Sequence, residues 1–418
     1  MDANRADADR RRPAAGAASV HSKPTVAGRV RLLPGRERPL RAGNPWLFSQ
    51  AIAAVEPPGL AAGDLVEVSD AAGLLLGFGH YNPTTTIAVR LFCRSGNPAN
   101  FAELVEDRLA RALAARRALV RDDTDCYRLV NAEADGLAGV IVDRYADVAV
   151  VQFLTAGADR MRELVVNALT RLIAPRAVLE RSRGAVRREE GLDDRQALLA
   201  GEELEEVVVR ENGLTLCIAV RRGQKTGYFL DQRENRALFA GLARNARVLD
   251  CFCYAGGFTL AALAGGARSV TAVDSSALAL SWAQRNLALN AYSAQAATLV
   301  RARAERFLAE SGESFELVVL DPPPLARSRS ARRSAARLYT ELNRLALARL
   351  APYGLLMTFS CSTHVAGDDF VHAVAEAQAQ SGRYARLLRR LGPAPDHPVL
   401  LGHPEGQYLT GLLLAATD

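Results

Sequence analysis

With 418 residues, of which 49% are hydrophobic and 23% charged, the chain is too long for one compact core. It has the balance of a globular protein of two or three domains. No apolar run approaches the ~20 residues of a membrane-spanning helix, so a membrane protein is not expected, and a net charge of +6 favours a polyanionic partner only weakly.

The opening stretch, MDANRADADRRRPAAGAASVHSKP, lacks the apolar centre of a secretory signal. Residues 1–26 therefore read as a disordered tail, and the folded chain as cytoplasmic. Residues 27–96 alternate short apolar runs with turns (RVRLL, PWLFSQAI, GDLVEVSD, LLLGFGHYNP, IAVRLF), the pattern of a small, mostly β module. Helical periodicity from Phe101 to Arg121 marks a connecting helix. The rest of residues 97–210 mixes strands (GVIVDRY, VAVVQFL, AVLER) with a helix from about Asp159 to Leu172, a central α+β segment. Asn212-Gly213, between the alternating runs of VVVRENGLTLCIAV, signals a hairpin that opens the last part, residues 211–418.

From Arg247 onward strands and helices alternate: VLDCF, SVTAV, ATLVRA, FELVVLD, GLLMTFSC, YARLLRRL and YLTGLLLAA are the strand candidates. Such alternation predicts an α/β, Rossmann-like, mostly parallel sheet with helices on both faces. Ligands bind there at the carboxyl ends of the strands, where Asp250, Asp274, Asp321 and Cys361 fall. Between Val248 and Asp274 the chain reads strand, glycine turn at Gly256 and Gly257, helix, strand. Glycine lets the backbone turn tightly and approach a ligand, and Asp274 is placed for the hydroxyls of a ribose. The phosphate-cradling patterns G-x-G-x-x-G and G-x-x-x-x-G-K-[ST] are absent. A nucleoside cofactor without phosphate, S-adenosylmethionine, fits better than NAD or ATP.

Several residues carry candidate chemistry. Asp321-Pro322-Pro323 holds a rigid extended turn at a strand tip. The following Pro324 has no aromatic face to stack on a base, which weighs against methylation of an exocyclic amine. Cys361, at the tip of GLLMTFSC, is a thiol beside polar residues. It is either a packed structural cysteine or a nucleophile for an electron-poor carbon such as C6 of cytosine, whose C5 cannot take a methyl group unaided. The run Gly223-Gln-Lys-Thr-Gly-Tyr-Phe-Leu-Asp231 places Lys225, Thr226, Tyr228 and Phe229 where they can close over a nucleoside, with Asp231 and Arg233 to fix it. Only two of the 52 basic residues are lysines, Lys23 and Lys225, which singles out Lys225 for a compact ammonium. Six cysteines without a C-x-x-C pair and six scattered histidines give no expectation of a metal site.

Taken in order, these segments resemble the bacterial ribosomal RNA large subunit methyltransferase I family of cytosine-5 methyltransferases. The resemblance rests on PGRERPLRAGNPWLFSQAI, GFGHYNP, YRLVNAEADGLAGVIVDRY, ERSRGAVRREEGL, GQKTGYFLDQR, CFCYAGGF, DPP, TFSCS and DHPVLLGHPEGQYL. It implies a class I methyltransferase domain preceded by a PUA domain, for RNA binding, and a central domain. It implies S-adenosylmethionine held by Lys225, Thr226, Tyr228 and Phe229, by Asp250, Tyr254, Gly256, Gly257 and Phe258, and by Asp274 and Asp321. Cys361 would be the nucleophile. Asp321, with His364 behind it, is the candidate base. Arg327, Arg329, Arg332, Arg333 and Arg337 would grip phosphates of large-subunit ribosomal RNA, and relatives suggest a homodimer. Two alternatives stay open: methylation of another RNA position, and an RNA-binding protein whose cofactor site has decayed. The second is motivated by Arg303, since related enzymes place an acid near the end of the third strand.

Overall fold

The computed structural model describes residues 25–94, 100–293, 295–325, 329–362 and 364–417. The tail expected over residues 1–26 lies outside them up to position 24, as does Arg327.

The first sheet holds β1 (Gly28–Leu32), β2 (Trp46–Phe48), β3 (Ile52–Glu56), β4 (Asp64–Ser69), β5 (Leu75–Tyr81) and β6 (Ile87–Cys93), with the short helix α1 (Arg38–Arg41). Its order is β2-β6-β5-β4-β1-β3. Alternate residues Val30, Leu32, Val66, Val68, Val89 and Leu91 fill its core, the period-2 signature of strands with one buried face. The run PWLFSQAI reads as one apolar segment. Instead, a single turn at Ser49–Ala51 breaks it and sends its halves, β2 and β3, to opposite edges.

Helix α2 (Phe101–Leu119) leads into the second sheet: β7 (Cys126–Asn131), β8 (Val140–Tyr145), β9 (Val148–Phe153), α3 (Ala156–Arg160), α4 (Arg162–Ile173), β10 (Ala177–Ser182), α5 (Ala185–Glu189) and β11 (Arg195–Gly201). Its order is β11-β10-β9-β8-β7. Helices α2 and α4 cover one face through Val105, Leu109, Leu113, Val165 and Leu169. On the other face Tyr145, Val148 and Val150 join the core of the C-terminal part. Burial on both faces explains the unbroken VAVV run. The helix expected from about Asp159 starts earlier, at Ala156, because the Thr155 hydroxyl accepts from the Ala158 N–H at 3.1 Å and caps it. It then breaks at Met161.

The hairpin pairs β12 (Val207–Glu211) with β13 (Leu214–Ile218) around Asn212 and Gly213. Both turn residues have positive φ, 50° and 79°, as a two-residue type I′ turn requires. The last sheet contains β14 (Arg247–Cys251), β15 (Ser269–Asp274), β16 (Ala297–Arg301), β17 (Phe315–Leu320), β18 (Leu350–Ser360), β19 (Ala385–Leu391) and β20 (Thr410–Ala416). Its helices are α6 (Arg233–Leu242), α7 (Gly257–Ala264), α8 (Ala277–Leu289), α9 (Ala304–Glu310), α10 (Arg332–Ala348) and α11 (Asp368–Ser381). The order is β16-β15-β14-β17-β18-β20-β19, with β20 antiparallel to both neighbours. The chain winds outward from β14 in one direction and from β17 in the other. A crevice for ligands therefore opens at the carboxyl ends of these two strands.

The connection between β19 and β20 crosses that crevice and ties the sheets together. The Ala394 N–H donates to the Asp231 carbonyl at 2.8 Å. The Asp396 carboxylate accepts from the Arg128 N–H at 2.8 Å and pairs with Arg233 at 3.0 Å. Burial raises the Asp396 pKa, but His397 and Arg233 override it and hold the carboxyl down at about 2. His403 packs edge-on against Trp46 of β2, ring centres 4.2 Å apart.

Candidate functional site

The crevice is a cavity of about 240 Å³. Its floor is the turn from β14 into α7. Phe252 and Tyr254 adopt left-handed φ of 66° and 48°, and Gly256 one of 81°, so the backbone curls sharply before the helix begins. Gly257 meets the opposite wall: a Cβ there would lie 2.2 Å from the Tyr228 hydroxyl oxygen. Asp274, at the end of β15, accepts the Tyr254 N–H at 3.0 Å and the Ser276 N–H at 2.8 Å. Those two bonds fix its carboxylate at the cavity edge.

The second wall comes from residues 224–232. The Tyr254 hydroxyl donates to the Gly227 carbonyl and accepts from the Gln224 N–H, both at 2.9 Å. Lys225 (φ 49°) lays its ammonium 2.7 Å from Asp231 Oδ2 and 4.6 Å from the centre of the Phe229 ring. The Tyr408 hydroxyl donates to the same Asp231 oxygen at 2.5 Å. Burial alone would raise the Asp231 pKa; Lys225 and His397 outweigh it and keep the carboxyl well below the usual range. Arg236 stacks over the Tyr228 ring at 4.5 Å while Glu211 holds its guanidinium through two bonds of 2.6 and 2.7 Å.

The third wall is formed at Asp321 and Cys361. Asp321 accepts from Gln232 Nε2 at 3.0 Å; burial, helped by Asp231, pushes its pKa up to about 6. Cys361 Sγ lies 3.4 Å from the Pro322 carbonyl oxygen. Burial and then Asp321 push the thiol up to about 12, with Lys225 opposing them. The resting sulfur therefore keeps its proton, directed at the Pro322 carbonyl.

Of the residues singled out in the sequence, Lys225, Tyr228, Phe229, Tyr254, Gly257, Phe258, Asp274, Asp321 and Cys361 line this one cavity. Five others do not line it: Arg233 is buried and paired with Asp396 at 3.0 Å, His364 is absent from the lining, and the remaining three are Thr226, Gly256 and Asp250. The Thr226 hydroxyl donates to Asp143 at 2.6 Å and meets the Tyr145 hydroxyl at 2.9 Å, facing the second sheet. Gly256 packs on Ala283 of α8. Asp250 is buried beneath the floor, accepts from the Thr259 hydroxyl at 2.7 Å, and is pushed up to about 7 by burial. Thr226, Gly256 and Asp250 therefore support the cavity from behind. Asp231, expected from sequence to fix the nucleoside, also lines the cavity, and the structure adds Gln232 and Phe252, with Tyr408 behind Asp231. The polar run through Asp231 was the signal for Gln232. Tyr408 offered none, because it meets Asp231 across 177 residues.

The five arginines expected to grip phosphates do not form one described cluster. Arg327 lies outside the described residues. Arg329 is described only in its backbone, which opens the single turn Arg329–Ala331 ahead of α10; the RNA contact expected of its side chain falls outside what is described. Arg332 is exposed and meets Asp369 at 2.6 Å. Arg333 and Arg337 are exposed on α10. Arg303 lies 3.5 Å from Glu305 with its side chain 77% exposed. It does not obstruct the cavity. Among the described residues no cluster of His, Cys, Asp or Glu could hold a metal, and no helix is long and apolar enough to cross a membrane.

A profile described as an S-adenosylmethionine-dependent methyltransferase matches residues 126–403, and one described as a PUA-like domain matches residues 30–94. The ribosomal RNA large subunit methyltransferase I of Pseudoalteromonas atlantica is 41% identical over 392 residues, covering 93% of this chain and 99% of that protein. The enzyme of the same name from Shewanella denitrificans is 40% identical over 393 residues, covering 93% and 99%. The chain belongs to the ribosomal RNA large subunit methyltransferase I family. The same fold occurs in a SAM-dependent methyltransferase structure from Streptococcus mutans (TM-score 0.79, 20% identity, 93% and 99% covered). A methyltransferase structure complexed with SAH gives a TM-score of 0.80 at 20% identity, with the same coverage.

Membership makes this chain an S-adenosylmethionine-dependent methyltransferase, and its cavity fits that cofactor. The Tyr228 hydroxyl and Asp231 Oδ1 are buried beside the cavity without partners among the described residues, and the Gly257 backbone leaves a cradle that a Cβ would fill. Asp231, Asp274 and Asp321 give the walls carboxylates, which suit a cationic sulfonium and repel a pyrophosphate. Tyr228, Tyr254, Gly257 and Asp274 would hold the cofactor. Gly257→Ala is expected to weaken S-adenosylhomocysteine binding by on the order of 10-fold or more, the cost of overpacking. Tyr228→Phe should also weaken binding in calorimetry, because it removes the unpartnered hydroxyl.

Proposed function

We propose that this methyltransferase transfers a methyl group to C5 of a cytosine in large-subunit ribosomal RNA, with Cys361 as covalent nucleophile. The observation that carries this reading is the convergence of Cys361 and Asp321 on one cavity with the cofactor residues. The substrate class is that named for the relatives, which match over nearly the full chain. The PUA-like module and the exposed Arg333 and Arg337 supply basic contacts for an RNA backbone.

The cofactor, when bound, supplies an electrophilic methyl group on a sulfonium. Cys361 adds through sulfur to C6 of the pyrimidine, which makes C5 nucleophilic. After methylation Asp321 removes the C5 proton, the C5–C6 double bond re-forms, and the sulfur leaves. A carboxyl with a pKa near 6 suits that task, because it is ionised at neutral pH yet more basic than an ordinary aspartate. Gln232 orients it. The thiol, held at about 12 at rest, releases its proton to solvent as the substrate enters, which leaves Asp321 free for the C5 proton, and the thiolate so formed is the attacking species.

A pH dependence follows. As pH falls through about 6, Asp321 takes up a proton and can no longer accept one. The turnover number is expected to drop on the order of tenfold per pH unit below that point, and Asp321→Asn should lose the acid limb together with most activity. The function itself is tested by incubating unmodified large-subunit ribosomal RNA with enzyme and cofactor and digesting it to nucleosides. 5-Methylcytidine in the mass spectrum supports the reading, and a methyl group on any other nucleoside overturns it.

A further inference from the structure

We propose that Lys225 is a catalytic residue: its ammonium binds N3 and O2 of the target pyrimidine and takes up the negative charge that develops there when Cys361 adds to C6. The inference rests on the cytosine-5 reading and assigns the group that makes the addition possible.

The chemistry requires such a group. When sulfur bonds to C6, the C5–C6 π pair moves to form C4–C5, and the N3–C4 π pair moves onto N3 and, by delocalisation, O2. C5 then attacks the methyl group, and the electrons return from N3. The ammonium stays protonated throughout. It donates hydrogen bonds that are stronger to the charged intermediate than to the neutral base, which is how a fixed donor accelerates a reaction.

Lys225 is placed for this. It is the sole lysine among the described residues, and it lines the same cavity as Cys361 and Asp321. Its field reaches both groups. Asp231 Oδ2 takes one of its three donors at 2.7 Å. The faces of Phe229 and Tyr408, at 4.6 and 5.6 Å, hold the charge in a cage. Its turn is fixed by the Tyr254 hydroxyl on one side and by Thr226 on Asp143 on the other, so the ammonium is positioned before substrate arrives. The cavity's other cation, Arg236, is committed to Glu211 and the Phe229 carbonyl.

The test uses the full-length enzyme, S-adenosylmethionine and a large-subunit ribosomal RNA transcript carrying 5-fluorocytidine, which has no C5 proton to lose and so traps the adduct. Lys225→Gln is expected to keep S-adenosylhomocysteine affinity within about threefold. It should slow adduct formation by on the order of 100- to 1000-fold, the loss typical of one charge-stabilising donor. Lys225→Arg, which keeps the ion pair with Asp231, should recover at least part of that loss and carries the comparison should the glutamine variant fail to fold. Trapping by Lys225→Gln at the wild-type rate overturns the proposal. So does a loss of S-adenosylhomocysteine affinity with the rate intact at saturating cofactor, which would make Lys225 a cofactor ligand. Absence of any adduct with the wild-type enzyme overturns the cytosine-5 reading itself.

Discussion

Cys361→Ala is expected to lower turnover by at least ~10,000-fold, as removal of a covalent nucleophile does in other enzymes, while S-adenosylhomocysteine binds with unchanged affinity. Both halves follow from where the sulfur sits. It sits at the tip of β18, half-buried against the core, with a hydrogen bond to the Pro322 carbonyl, so trimming it leaves a small gap beside the cavity and disturbs no buried charge. The cofactor contacts lie on the other walls, at Gly257, Asp274 and Tyr228. Cys361→Ser should be as inactive, because a hydroxyl keeps the bond to Pro322 but is a far weaker nucleophile. Single-turnover kinetics beside calorimetry separates the two effects. Measurable multiple turnover by the alanine variant would remove the thiol from the mechanism.

Glu211→Ala should produce the largest loss of stability. Glu211 and Arg236 are both almost fully buried and meet through two short bonds. Removing the carboxylate strands a buried guanidinium, which costs about 3–5 kcal/mol and should lower the melting temperature by on the order of 10 °C. The damage reaches the site, because Arg236 also covers the Tyr228 ring and donates to the Phe229 carbonyl at 2.9 Å. Cofactor affinity should therefore fall in parallel. Glu205→Ala, which breaks the exposed pair with Arg222, should leave the melting curve unchanged. Equal melting temperatures for the two variants would contradict this account of the hairpin as the brace of the binding wall.

Much of the last sheet was legible because its strands are apolar runs of the right length, separated by helices with their own period; β14 to β18 fall where the runs predict. The carboxyl-end rule then located Asp274, Asp321 and Cys361. Elements with mixed composition were not legible. Strand β7 (CYRLVN) and strand β11 (RQALLAG) mix polar and apolar residues; in β7 Arg128 interrupts the apolar run because it meets Asp143 and Asp396. Thr226 sits between two cavity residues in sequence. The turn nevertheless directs it to Asp143, a choice set by a partner 83 residues away. The same holds for Tyr408 on Asp231 and for Arg332, whose partner Asp369 lies 37 residues on. Local pattern reports which face a residue prefers, and long-range polar pairing decides what it does there.

The covalent step is tested most directly by digesting the complex trapped on 5-fluorocytidine RNA and sequencing the cross-linked peptide by mass spectrometry. The expected product is the peptide spanning Cys361 bearing one methylated fluorocytidine nucleotide. A nucleotide on a different cysteine, or methylated RNA with no protein attached, would contradict it.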